Sequence, residues 1–243
     1  MRLFIVAVSL CVSPALMLAD TAQERLQESS AVFSDIMATP DRGIPQELLE
    51  SAHCVVIVPG MKKAAFIVGG QYGRGFAVCR KAGGRGWGDP AAIRVEGGSF
   101  GFQIGGSDTD VVMLVMNQGG MEKLRRSKFT LGADASVAAG PVGRSASAKT
   151  DAYMTAEILS WSRSRGLFAG VALNGATLRP DEDQNKELYG KKMTTGEVFA
   201  SRMPEPAAAA QLVAQLNKYS FREEGARANA DRQAPSKTTR QKR

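Results

Sequence analysis

The stretch 97–143, GGSFGFQIGGSDTDVVMLVMNQGGMEKLRRSKFTLGADASVAAGPVG, constrains the fold more than any other part of the chain. Its centre, VVMLVM at 111–116, is continuously apolar and too short for a membrane span, so it predicts a strand buried on both faces. Ahead of it Phe100, Phe102 and Ile104 alternate with Gly101 and Gln103, the period of an extended segment. Gly-Gly-Ser-Asp at 105–108 then reads as a turn. Asn117 ends the apolar run and suits the cap of a short helix over 121–126, whose basic end complements the helix dipole. From 128 to 143 the side chains are mostly small, which permits close approach of backbone to backbone or to a ligand.

Around this stretch the pattern continues as short strands between glycine turns. Residues 20–38 place Leu26, Val32, Phe33, Ile36 and Met37 on an amphipathic helix, and Pro45 starts a second helix through Leu48 and Leu49. The segment 55–58 is expected to be a strand stopped by Pro59-Gly60. Two further strands, 64–68 and 76–79, flank the glycine string GGQYGRG, read as a hairpin with glycines at positive φ. A strand at 91–95 follows. Residues 155–178 form two strands joined across 163–166, with Asn174-Gly175 as a tight turn. Helices are predicted at 182–189, 195–200 and 207–220. The fold class is therefore α+β: a twisted or partly closed, mainly antiparallel sheet covered by N- and C-terminal helices.

The ends of the chain differ from its body. Residues 1–19 combine Arg2, an apolar run and Pro14 before the small Ala19, the pattern of a secretory signal peptide. Cys11 lacks the small preceding residue of a lipoprotein site. Residues 20–221 are expected to form one domain. The tail 222–243 is basic, polar and expected to be disordered. Of the formal net charge of +7 the leader contributes +1 and the tail +4, leaving only +2 on the body. No body-wide basic field is left to attract nucleic acid, and nucleic acid is not expected as a partner. Localisation is expected to be periplasmic or extracellular, with peripheral membrane association. In that compartment Cys54 and Cys79 read either as a disulfide or as two buried thiols.

Catalytic constellations are thin. Gly97-Gly98-Ser99-Phe100-Gly101 satisfies G-x-S-x-G, but an alternating strand follows Ser99 and the only histidine, His53, lies upstream. One histidine and two mature cysteines do not provide zinc-ligand spacing, and no metal or cofactor is expected. The run Asp181-Glu182-Asp183 suits a helix N-terminus. Basic pairs recur instead: Lys62-Lys63, Arg80-Lys81, Arg125-Arg126 with Lys128, and Arg163 with Arg165. Beside glycine-rich turns such residues can hold phosphate head groups through charge-assisted hydrogen bonds.

Several long words resemble the SYLF domain: VVIVPGMKKAAFIVGGQYGRG (55–75), GGSFGFQIGG (97–106), TDVVMLVMN (109–117), KFTLGADASVAAGPVGR (128–144) and SWSRSRGLFAGVALNG (160–175). They occur in the family's order and cover most of 48–199. The resemblance implies a non-enzymatic module that binds anionic or phosphorylated lipids, phosphoinositides among them. Lys62, Lys63, Arg163 and Arg165, all inside shared words, become the candidate head-group ligands. Actin binding, associated with eukaryotic relatives, is not expected, because their actin-binding segment is not matched. The alternatives are a structural or interaction protein of the cell envelope and, more distantly, a Ser99-dependent esterase.

Overall fold

A computed structural model describes residues 20–39, 43–66, 68–81, 83, 85–100, 105–142, 155–164 and 167–220. The leader 1–19, the tail 222–243, Arg165 and the alternating residues Phe102 and Ile104 lie outside the described residues.

The sheet has nine strands: β1 (Cys54–Phe66), β2 (Val68–Cys79), β3 (Ala91–Phe100), β4 (Gly105–Val115), β5 (Phe129–Thr130), β6 (Val137–Ala139), β7 (Ile158–Ser164), β8 (Leu167–Gly170) and β9 (Thr177–Pro180). Their order is β5-β9-β3-β2-β1-β4-β7-β6, with β8 sharing the β7 edge with β6. All pairings are antiparallel except β6 with β7. The two edges, β5 and β6, are joined by the short segment 131–136, so the sheet must curl until its edges meet. That segment is tied to both sides: Leu131 N–H donates to the Ala176 carbonyl, and Ile158 N–H donates to the Ser136 carbonyl. The expectation of a partly closed, mainly antiparallel α+β fold is met.

Alternation along the strands divides the apolar side chains between two cores. Val56, Val58, Met61, Ala77, Ile93, Val95, Val111, Met113 and Val115 face the inside of the curl. Val55, Ile57, Phe76, Val78, Val112, Leu114 and Trp161 face outward, against helices from both ends of the chain. Those helices are α1 (Ala22–Ala38), α2 (Gln46–Ser51) and α6 (Ala210–Ser220). Helix α1 begins with a reciprocal cap: Glu24 N–H donates to Thr21 Oγ1 at 3.2 Å, and Thr21 N–H donates to Glu24 Oε2 at 2.9 Å. Its Leu26, Phe33 and Ile36 are fully buried, each worth about 1.5–3 kcal/mol of apolar burial. Helix α3 (Gln118–Leu124) is capped by Asn117, whose Oδ1 accepts from Gly120 N–H at 2.8 Å. Helices α4 (Glu182–Tyr189) and α5 (Thr195–Ala200) follow β9.

Three local expectations are corrected. Pro59-Gly60 does not stop a strand: β1 runs through it with one extra residue relative to both neighbours, a bulge that Gly60 allows at φ 53°. The string GGQYGRG is not a hairpin but the body of β2, and none of its glycines has positive φ. Gly75 is needed there for clearance, since a Cβ would lie 2.0 Å from the Ile57 carbonyl oxygen beside the bulge. Finally, 105–108 is not a turn but the start of β4.

Candidate functional site

Chain direction brings the C-terminal ends of β1, β3 and β7 to one end of the curled sheet, the hairpin end. The register shows this, since Phe66 pairs with Val68, Ala65 with Gly105, and Asp110 with Arg163. One cross-strand row near this end reads Glu96, Tyr72, Lys62, Asp108. Directly paired residues share a face, and here it is the outer one: Tyr72 is 46% exposed, and Lys62 and Asp108 are exposed. The next row toward the turns consists of Gly98, Gly70, Ala64 and Gly106. A Cβ added at Gly70 or Gly98 would meet nothing within 4 Å, so packing among the described residues does not explain these glycines. Among the described residues the large exposed apolar side chains are Tyr72, Val142 (41%) and Leu167 (58%). Leu167 opens β8 at this end, and Val142 lies just past β6, which runs parallel to β7 toward the same turns.

The predicted residues have separate fates. Lys62 points outward and is exposed. Lys63 faces the inside, paired with Gln71 and two residues from the buried Met61. It is half-buried, no carboxylate pairs with it among the described residues, and burial pushes its ammonium pKa down. Arg163 is already engaged. Its Nε donates to Asp110 Oδ2 at 2.7 Å, its Nη1 bonds Asp35 of α1, and its guanidinium lies 5.4 Å from the Phe168 ring centroid. Burial opposes its charge, but the bonds from Asp35 and Asp110 outweigh that and raise its pKa.

Cys54 and Cys79 sit opposite each other on β1 and β2, Cα atoms 4.0 Å apart, and form a disulfide. It lies at the other end of the sheet. Arg80, next to it, donates to the carbonyls of Ala52, Leu49, Glu50 and Ser220 and lies 4.3 Å from the Trp87 ring centroid. Its charge serves the carbonyls of the α2 and α6 termini.

Ser99 lies within β3 opposite Gly69, in extended pairing rather than at a strand-to-helix elbow. Asp181 is the N-cap of α4, its Oδ1 accepting from Gln184 N–H at 3.4 Å. Among the described residues no group of three or more His, Cys, Asp or Glu could hold a metal, and no helix is long and apolar enough to cross a membrane.

Sequence reading missed a row of three arginines, Arg74, Arg94 and Arg179, on neighbouring strands. Arg74 was hidden inside a supposed hairpin, and the other two are far apart in sequence. Only the register brings them together.

A family model described as Ysc84, Las17-binding protein actin regulator, matches residues 96–219, about half of the chain. An SH3 domain-containing protein of Schizosaccharomyces pombe is 36% identical over 181 residues, covering 73% of this chain and 42% of that protein. The human SH3 domain-containing YSC84-like protein 1 is 31% identical over 198 residues, 80% of this chain and 57% of its own length. LAS seventeen-binding protein 3 of Saccharomyces cerevisiae is 33% identical over 184 residues, 74% of this chain and 40% of its own length. The chain thus spans about half the length of the curated relatives it matches. The family description's link to actin regulation stands against the expectation that actin is not a partner.

Proposed function

The chain belongs to the Ysc84/SYLF family, and from that premise we propose that it is a non-enzymatic protein that docks on anionic lipid surfaces through the hairpin end of its curled sheet. The observation that supports this reading is a coincidence of features at that end. Exposed Tyr72 and Leu167, lysines 62 and 63, and a row of glycines with open space around them all meet there. Apolar groups enter the interface, a tyrosine suits the head-group level, and lysines answer the negative surface potential. The leader suggests export, which would place this contact at the cell envelope.

The test is vesicle co-sedimentation at physiological salt, with and without residues 222–243, because the basic tail can bind membranes unspecifically. Changing Lys62 and Lys63 together to Gln is expected to remove about 2 kcal/mol of binding, roughly thirtyfold, from phosphatidylserine vesicles. Tyr72→Ser with Leu167→Ser is expected to weaken binding without changing its salt dependence. Equal binding by all folded variants would send the site elsewhere. Arg163→Gln is expected to loosen α1 more than to weaken lipid binding, since Asp35 and Asp110 already hold that charge.

A second reading follows from the family description, which names an actin regulator. Co-pelleting of the purified chain with filamentous actin, in the absence of lipid, would favour it. Failure to float with any vesicle while an envelope protein is captured would favour an interaction role in the envelope.

A further inference from the structure

A cavity of about 650 Å³ opens beside the disulfide, whose Cys79 lines it. Three segments far apart in sequence build its walls. The connection after β2 contributes Lys81 and Asp89, the C-cap of α3 contributes Arg125, and the chain leaving α5 contributes Arg202 and Glu205. Helix α5 packs closely on the α3 cap, since a Cβ at Gly196 would lie 2.9 Å from the Arg125 carbonyl oxygen. Among the described residues Asp89, Glu205, Arg125 and Arg202 form no ion pair, although they line one cavity. Asp89 is half-buried, and burial raises its carboxyl pKa while Lys81 opposes the rise. Glu205 is raised by partial burial and then by the negative charge of Asp89, with Lys81 again opposing. Tyr189 marks the region these carboxylates face: burial raises its hydroxyl first, and both of them add to the effect. That hydroxyl donates to the Pro90 carbonyl at 2.6 Å, so it closes the acidic side without supplying a free group. Lys81 is the cation felt by both carboxylates. Arg125 and Arg202 are felt by neither, and so form a separate basic pole.

We propose that this cavity binds a short peptide as a zwitterion, its ammonium between Asp89 and Glu205 and its carboxylate on Arg125 and Arg202. An ammonium between two carboxylates offsets their mutual repulsion, and a guanidinium fork matches the two coplanar oxygens of a carboxylate. Phe199 and Met203, both half-buried, line the same cavity and offer apolar surface to the side chains between the termini. The volume is that of a site for a ligand larger than one amino acid. A dianion would meet two carboxylates and a polyamine two arginines, so neither sign of charge alone satisfies the cavity. The inference is independent of the docking function proposed above, because the cavity lies at the opposite end of the sheet.

The experiment titrates the full chain, without lipid, with trialanine, N-acetyl-trialanine and trialanine amide up to millimolar concentration, read by calorimetry. Wild type is expected to bind trialanine, and blocking either terminus should weaken binding about tenfold or more. Asp89→Asn and Glu205→Gln should each weaken trialanine by a similar factor, yet bind the acetylated peptide, which lacks the ammonium, as wild type does. Arg125→Gln and Arg202→Gln should weaken trialanine and leave the amide, which lacks the carboxylate, unaffected. This matching of variant to blocked terminus reads contact with the ligand, which a merely structural role would not reproduce. Glu205 and Arg202 are exposed, so their variants keep the test open where Asp89→Asn fails to fold. Because no vesicle is present, failure of the lipid reading leaves the result untouched. No trialanine binding by folded wild type, equal binding of the three peptides, or trialanine binding unchanged in both Glu205→Gln and Arg202→Gln overturns the site.

Discussion

The two ends of the curled sheet are built on opposite principles. At the disulfide end the polar groups against α2 and α6 are used internally. Arg80 serves carbonyls of two helix termini, Trp87 Nε1 donates to Ser220 Oγ at 3.0 Å, and Trp87 N–H donates to Asn217 Oδ1 at 3.2 Å. At the hairpin end, among the described residues, a half-buried lysine has no carboxylate partner, the large apolar Tyr72 and Leu167 face solvent, and Gly70 and Gly98 stand in open space. Burying polar groups with partners stabilises a fold, while leaving groups without partners keeps them for something outside it. The difference fits a stabilising role at one end and the proposed docking role at the other.

Glycine substitutions break this comparison most sharply. Gly75 and Gly70 lie on the same strand, but a Cβ at 75 meets Ile57 and Val58 backbone while one at 70 meets nothing. Gly75→Ala is expected to cost at least about 3 kcal/mol in urea unfolding, because backbone at the bulge cannot yield cheaply. Removing the disulfide comes next. It closes a separation of 25 residues, and Cys54→Ser with Cys79→Ser should lower stability by about 3 kcal/mol, with vesicle binding intact in the folded fraction. Thiol titration of denatured, unreduced protein should find no free thiol at these positions.

Lys63 gives a smaller, pH-dependent effect. Its folded-state pKa is depressed by burial, so between that value and the unfolded value near 10.5 the unfolded chain binds more protons. Stability should therefore rise with pH through that window, and Lys63→Gln should flatten the rise. An unchanged slope in the variant would place the lysine in ordinary solvent. Gly70→Ala should have the least effect on stability, within about 0.5 kcal/mol of wild type, acting through the entropy of the unfolded chain. Vesicle binding by Gly70→Ala should still weaken if close backbone approach matters there.

Much of this architecture is legible in sequence because it is local. The apolar run 111–115, the Asn117 cap, the Asn174-Gly175 turn and helices α4 and α5 each announce themselves within a few residues. The misreadings share one physical cause. Pro59-Gly60 and the string 69–75 look like turns because turns favour those residues, but here a bulge in one strand demands a glycine in the next. That demand crosses strands and leaves no local trace. The same holds for the site. Lys62 and Lys63 are visible as a pair, but only strand pleat separates them to opposite faces, and Arg163 loses its freedom to carboxylates of α1 and β4 that are distant in sequence. The arginine row exists only in the register.

The central claim is that the hairpin end meets the lipid. Trp87 and Trp161 are fully buried, so an added surface tryptophan reports its own surroundings against a constant background. Tyr72→Trp and Leu167→Trp would be compared with Lys81→Trp, near the disulfide, on adding anionic vesicles with brominated acyl chains. The account predicts a blue shift and bromine quenching at 72 and 167 and neither at 81. Quenching at 81 with none at 72 and 167 would contradict it.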